Sequence, residues 1–267
     1  MKVRINGVLL AYSDQGEDLP LVFLHGFPFN RAMWQPQEQA LVSRFRIISV
    51  DLRGHGESDA PWWRYSLEQH ADDVKTLLSH LGITRAVFVG LSMGGYLAFA
   101  LYRRFPELIR GLVLADTKAE ADKPEQARWR FDLAQRAATG GATVVVNEML
   151  PKLLSAKTYT NHPIIVERVK AIMEASPVPG IIGDLMAMAE RPDSVGLLAS
   201  ITVPTLVIVG EDDGLTTPMD AARIAQGIPG AKLVTIPDAG HISNLEQPAL
   251  FNRAMEDFAE GFSTTQR

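Results

Sequence analysis

The chain contains no cysteine. That excludes disulfide staples, thiolate nucleophiles and cysteine-ligated metals together. It also agrees with a reducing compartment, so a cytoplasmic location is the expectation. Positive charge is in short supply too. Its 26 Lys and Arg against 31 Asp and Glu leave a formal net charge of -5 over 267 residues. No basic field exists to draw in nucleic acid or anionic lipid, and neither is an expected partner. Long apolar runs are scarce. Val8 to Tyr12 is too short for the apolar core of a secretory signal. Ala86 to Tyr102 continues for seventeen residues without a charge, but Gly90, Gly94, Gly95 and Ser92 interrupt it. A buried strand feeding a buried helix explains that stretch better than a membrane span does.

What is present reads as globular: 46% hydrophobic and 21% charged residues. The length suits one large α/β domain carrying an insertion. "KVRING" and "VLLAYSD" form a hairpin through Asn6-Gly7. "LPLVFLHG", "FRIISVDLRGHGES", "RAVFVG", "IRGLVLADT", "TVPTLVIVGEDD" and "AKLVTIPDAGH" each pair an apolar run with a polar or glycine-rich end. Helical patterns separate them: about Met33–Leu41, about Ser66–Leu81 with a serine cap, a segment ending before Pro106, and about Pro248–Phe262. Such alternation predicts a mostly parallel sheet of about eight strands covered on both faces by helices. Lys118 to about Ser200 breaks the rhythm. It predicts about four helices, with breaks at Gly140-Gly141, Asn161–Pro163, Pro177–Pro179 and Arg191–Asp193; "TVVVN" within it fits strand or helix.

In a sheet of this kind chemistry belongs at the carboxyl ends of the strands. Gly90-Leu91-Ser92-Met93-Gly94 matches G-x-S-x-G where a strand turns into a helix. A sharp turn there strains the central residue and pushes its side chain out, and the flanking glycines relieve crowding. A serine hydroxyl needs a base. Of six histidines, His241 alone lies past the last apolar strand, after Ser92, as a Ser…Asp…His order requires. Asp213 precedes it in "VIVGEDDGLTTP" and is the preferred carboxylate; Asp116 in "VLADT" is the rival, and Asp212 a weaker one. The oxyanion donors are expected to be the backbone N–H groups of Met93 and of Phe27 in "LHGFPFN", where Pro28 has none to give. His25 is expected to bond backbone in that loop.

These pieces, "HGFP", "DLRGHGES", "GLSMGG", "GEDDGLTTP" and "DAGH", in this order, resemble the α/β-hydrolase superfamily over nearly the whole chain. More narrowly, "HGFPFNRAMW", "GLSMGGYLAFA", "MAERPDS" and "IPDAGH" resemble bacterial carboxylesterases similar to 3-oxoadipate enol-lactonases. The resemblance implies an α/β-hydrolase fold with a core of residues 1–117 and 201–267 and a helical cap, or lid, of residues 118–200. It implies Ser92, Asp213 and His241 as triad, with Phe27 and Met93 as backbone donors, and neither metal nor organic cofactor. Related dehalogenases and epoxide hydrolases carry aspartate at the elbow, which Ser92 argues against. The elbow also departs from the "GGSWG"-like one of proline iminopeptidases, while hydroxynitrile lyases share its serine.

The expected function is hydrolysis of short- to medium-chain uncharged carboxylic esters, a small-molecule substrate class, through an acyl-enzyme on Ser92. Uncharged esters are preferred because no cationic cluster stands out in the sequence, although Arg31, Arg53, Arg128 and Arg191 have no place assigned. The alternatives are an enol-lactonase with the same triad and a triad-bearing signalling receptor with little turnover. Phe27, Met93, Leu150, Met186 and Ile242 are the residues expected to contact substrate; Trp62, Trp63 and Tyr65 could line the pocket mouth or anchor their loop.

Overall fold

The computed structural model describes residues 1–262. Eight strands form one sheet in the order β1-β2-β4-β3-β5-β6-β7-β8: Lys2–Ile5, Val8–Gln15, Pro20–Leu24, Arg46–Val50, Ala86–Leu91, Ile109–Ala115, Thr205–Gly210 and Lys232–Ile236 for β1 to β8. The pairings of β1 with β2 and of β2 with β4 are antiparallel, and all others are parallel. The first hairpin turns on Asn6 at φ 47° and Gly7 at φ 84°, the doubly positive pair of a tight two-residue turn.

The central strands are apolar at nearly every position because both faces are covered. Val22, Leu24, Phe88, Leu112 and Leu114 point into one core and Leu21, Phe23, Val87, Val89 and Val113 into the other. In chain order the helices are α1 (Gln35–Leu41), α2 (Leu67–His80), α3 (Met93–Arg104), α4 (Pro124–Gly140), α5 (Ala142–Met149), α6 (Ala156–Asn161), α7 (Pro163–Glu174), α8 (Val178–Ala189), α9 (Val195–Leu198), α10 (Pro218–Gly227), α11 (Ser243–Glu246) and α12 (Pro248–Ala259). Helices α2, α3 and α10 cover the first core, and α1 and α12 the second. Ser66 caps α2 by accepting from the Gln69 N–H, and Gly82 leaves it at φ 68°.

The region between β6 and β7 holds six α-helices, α4 to α9, where the sequence predicts about four. The extra ones are short, with α6 six residues long and α9 four, too few turns to show a helical period. "TVVVN" is helical and lies in α5. Helix α4 runs along α8, and α8 in turn meets the loop after β4. A Cβ on Gly180 would lie 1.9 Å from the Gly54 carbonyl oxygen, so the two backbones touch there. Beside that contact Asp184 of α8 accepts from His55 Nε2 and His70 Nε2, both at 2.7 Å, and all three side chains are fully buried. Burial alone would raise the Asp184 carboxyl, but the two imidazoles hold it well below its ordinary range. No helix among the described residues is long and apolar enough to cross a membrane.

Candidate active site

Strand β5 ends at Leu91 and α3 begins at Met93, so the whole turn falls on Ser92. Its φ of 54° and ψ of -114° are unusual for a residue with a side chain. The neighbouring glycines permit this bend. A Cβ on Gly90 would sit 2.2 Å from the Gly94 oxygen, and one on Gly94 2.1 Å from the Leu24 oxygen. The bend is held by the Ser92 N–H donating to the Ala115 carbonyl at 2.9 Å and by the Thr117 hydroxyl donating to the Ser92 carbonyl at 2.8 Å.

Ser92 Oγ lies 2.8 Å from His241 Nε2, and His241 Nδ1 lies 2.8 Å from Asp213 Oδ2. Asp213 follows β7 and His241 follows β8, so three parallel strand ends deliver the three side chains to one rim. Asp213 Oδ1 also accepts from the Leu215 and Thr216 N–H groups, at 2.8 and 3.0 Å, and Oδ2 from the Thr216 hydroxyl at 2.6 Å. Burial favours the neutral form of Asp213, but His241 and the Thr216 donors outweigh it and hold the carboxyl below its ordinary value. Burial likewise disfavours the charged imidazole, yet the Asp213 charge prevails and His241 is raised above its ordinary 6.5.

Asp116 stands apart from this line. It accepts from the Gly210 N–H at 2.8 Å and the Ser243 hydroxyl at 2.5 Å. Burial first, and then the Asp213 charge, push it up to about 8. Asp212 is exposed. His25 is fully buried and its ring bonds backbone only: the Leu52 N–H donates to Nε2 at 3.1 Å, which leaves Nδ1–H to donate to the Gly26 carbonyl at 2.9 Å. The peptide between Phe27 and Pro28 is cis. Among the described residues neither the Phe27 nor the Met93 N–H has a hydrogen-bond acceptor.

Ser92 and His241 open onto a cavity of about 250 Å³. Phe27, Tyr96, Leu215 and Thr216 line it from the sheet side; Gln126, Trp129, Arg130, Met149, Lys152 and Met188 line it from the insertion, with Lys118 between. The sequence reading needs correction here. Leu150, Met186 and Ile242 are not brought to the cavity. Leu150 packs toward the second core, and Ile242 is fully buried within that core beneath His241. The Met93 side chain is likewise fully buried, which leaves only its backbone near Ser92. Apolar side chains of short helices serve the packing of the insertion first, and the cavity wall takes what remains.

That remainder includes three cations, Lys118, Arg130 and Lys152, and their presence removes the premise on which uncharged substrates were preferred. Of the arginines the sequence left without a place, Arg191 is ion-paired with Asp122 at 2.8 Å and lies over the Tyr96 ring, while Arg53 is buried against Asp73. Trp62 and Trp63 are exposed and do not line the cavity; Tyr65 is buried against Gly54 and Gly183. Glu246 is a functional neighbour that sequence reasoning missed. It accepts from the Gly240 N–H at 2.7 Å and the Ser155 N–H at 2.8 Å, fixing the loop that carries His241 to the insertion. A glutamate five residues after the histidine of "DAGH" was its only trace in the sequence. No group of three or more His, Asp or Glu side chains among the described residues is placed to hold a metal ion.

Fold and rim together define a hydrolase of the α/β class, and the chain belongs to the alpha/beta hydrolase fold family, whose profile matches residues 20–248. It is 33% identical over 258 residues to 3-oxoadipate enol-lactonase 2 of Acinetobacter baylyi, covering 96% of this chain and 95% of that one. Among solved structures, a thermophilic esterase from Thermogutta terrifontis with malate bound is 38% identical, at a TM-score of 0.95 with 98% of both chains covered. An enol-lactonase from Burkholderia xenovorans LB400 is 33% identical, with a TM-score of 0.91, 97% of this chain and 100% of that one.

Proposed function

We propose that this chain hydrolyses carboxylic esters of short to medium length through an acyl-enzyme on Ser92. The observation that carries the reading is the continuous line from Asp213 through His241 to Ser92, 2.8 Å at each link, opening onto a cavity beside two unengaged backbone N–H groups. His241 takes the Ser92 proton as Oγ attacks the ester carbonyl carbon. The Phe27 and Met93 N–H groups receive the negative charge that develops on the carbonyl oxygen. His241 then returns the proton to the leaving alkoxide, and next deprotonates a water that attacks the acyl carbon and frees Ser92. Asp213 stays ionised and holds the imidazole tautomer. Residues 118–200 act as the lid that roofs the cavity and excludes bulk water.

A second reading, lactone hydrolysis, draws support from the likeness to two enol-lactonases across nearly the whole chain. Its steps are the same, except that the leaving alkoxide stays tethered to the acyl group. The test is turnover of p-nitrophenyl acetate and butyrate. The native chain should turn over many times, and Ser92→Ala should lose about 10⁴-fold to 10⁶-fold in kcat. Activity retained in Ser92→Ala would sink the mechanism. An intact site without turnover would point to a signalling receptor, and a rate on the enol-lactone far above all simple esters would promote the second reading.

A further inference from the structure

Resting on the ester-hydrolase reading, we propose that the substrate carries a free carboxylate besides its ester and that Lys118 anchors it. Lys118 follows β6, lines the same cavity as Ser92 and His241, and exposes only 12% of its side chain. Its nearest carboxylate is Asp122 Oδ1 at 3.9 Å, beyond hydrogen-bond reach. Among the described residues its ammonium makes no hydrogen bond, and Asp122 is its only ion-pair partner.

Asp122 is already committed elsewhere. Its side chain is fully buried; Arg130 Nε donates to Oδ2 at 2.5 Å, and Arg191 Nη1 is ion-paired with Oδ1 at 2.8 Å. Burial favours its neutral form, but the two arginines prevail and hold it low, so it contributes one negative charge. Asp220, the next carboxylate that Lys118 feels, caps α10 through Thr217. Three screened cations therefore share essentially one anion on this wall. Burial first, and then the Arg191 charge, press the Lys118 ammonium below its ordinary value.

A cation withheld from water and short of a counter-ion is unfavourable until an anion arrives. The arginines are fixed in place: Arg191 also donates to the Met188 and Glu120 carbonyls and lies on the Tyr96 ring. Lys118 is the group left free to reach a ligand. Lys152 differs, being half-exposed and paired with Glu148 at 3.0 Å, so it steers at the mouth but does not anchor. The carboxylate could sit on the acyl or on the alcohol side of the scissile bond.

The test compares charged and neutral near-isosteres. Monoethyl succinate against ethyl levulinate probes the acyl side, and acetoxyacetate against acetoxyacetone the alcohol side. The native chain should prefer the charged member of at least one pair by about 10-fold to 100-fold in kcat/KM, the scale of one charge-assisted bond in a screened site. Lys118→Met should remove that preference and Lys118→Arg restore much of it. Preference for the neutral member in both pairs overturns the proposal, as does a charged preference that survives Lys118→Met; the native comparison stands even where Lys118→Met does not fold. Succinate binding to Ser92→Ala, followed by calorimetry, separates this proposal from the hydrolase reading. Binding without ester turnover by the native chain would leave the anchor standing and end the hydrolase reading. Brisk turnover of neutral esters without succinate binding would do the reverse.

Discussion

Asp213 and Asp116 sit at neighbouring strand ends, and their different surroundings divide their roles. Asp213 takes an imidazole, a hydroxyl and two backbone donors; Asp116 takes one N–H and one hydroxyl, and is pushed up to about 8. Asp213→Asn should therefore lower kcat by about 10⁴-fold through the wrong imidazole tautomer. Asp116→Asn, which keeps an acceptor at a carboxyl that burial pushes toward its neutral form, should lose far less. Steady-state kinetics on one ester compares the two directly, and a greater loss in Asp116→Asn would reverse the assignment. The base must be neutral to accept the serine proton, and His241 is raised above 6.5 by Asp213. The profile of kcat/KM against pH should thus be flat at alkaline pH and fall as pH drops through a midpoint above 6.5. A midpoint below 6.5 would mean that the Asp213 charge does not reach the imidazole.

At the scale of elements, the parts written locally in the chain were legible. The central strands are apolar runs with a turn or glycine beside them, the Ser66 cap sits where α2 begins, and the elbow is spelled out in five consecutive residues. The order Ser92, Asp213, His241 supplied the rim because parallel strands put their ends on one side. The cavity wall was not legible. Lys118, Arg130 and Lys152 come from a strand end, a helix and a 3₁₀ turn, and only the fold of the insertion turns them inward. Helical periodicity marks a polar face without telling which polar residues look into a cavity and which into water. The same ambiguity misplaced Leu150 and Met186. The elbow also gives a test at this scale. A methyl at Gly94 would meet the carbonyl of Leu24, the residue that leads into the Phe27 loop, at 2.1 Å. Gly94→Ala should cost about 3 kcal/mol in urea unfolding and lower kcat as well, because relief of the clash moves the Phe27 N–H, the proposed oxyanion donor. Full stability with full activity would mean that α3 can shift freely against β3.

For the molecule as a whole, what matters is how the insertion is fastened. Around its rim the Ser155 N–H meets Glu246, the Ser176 hydroxyl donates to the Pro28 carbonyl, the His241 N–H donates to the Leu153 carbonyl, and Asp184 sits between His55 and His70. The last of these is the most thoroughly buried. Asp184→Ala should destabilise the chain by about 3 to 5 kcal/mol, since it strips two buried imidazoles of their acceptor. Denaturant unfolding measures this, and a loss below about 1 kcal/mol would show that water satisfies the histidines. The three-residue clamp also bears on recombination among relatives. Helix α8 brings one side chain to a socket whose other two belong to the segment after β4 and to α2. A chimera that exchanges only residues 118–200 for those of a relative without an aspartate at this site inherits half a socket. Grafts that carry the positions of His55 and His70 along with the helices should fold, while grafts that leave them behind should not, so the exchangeable unit here is larger than the insertion.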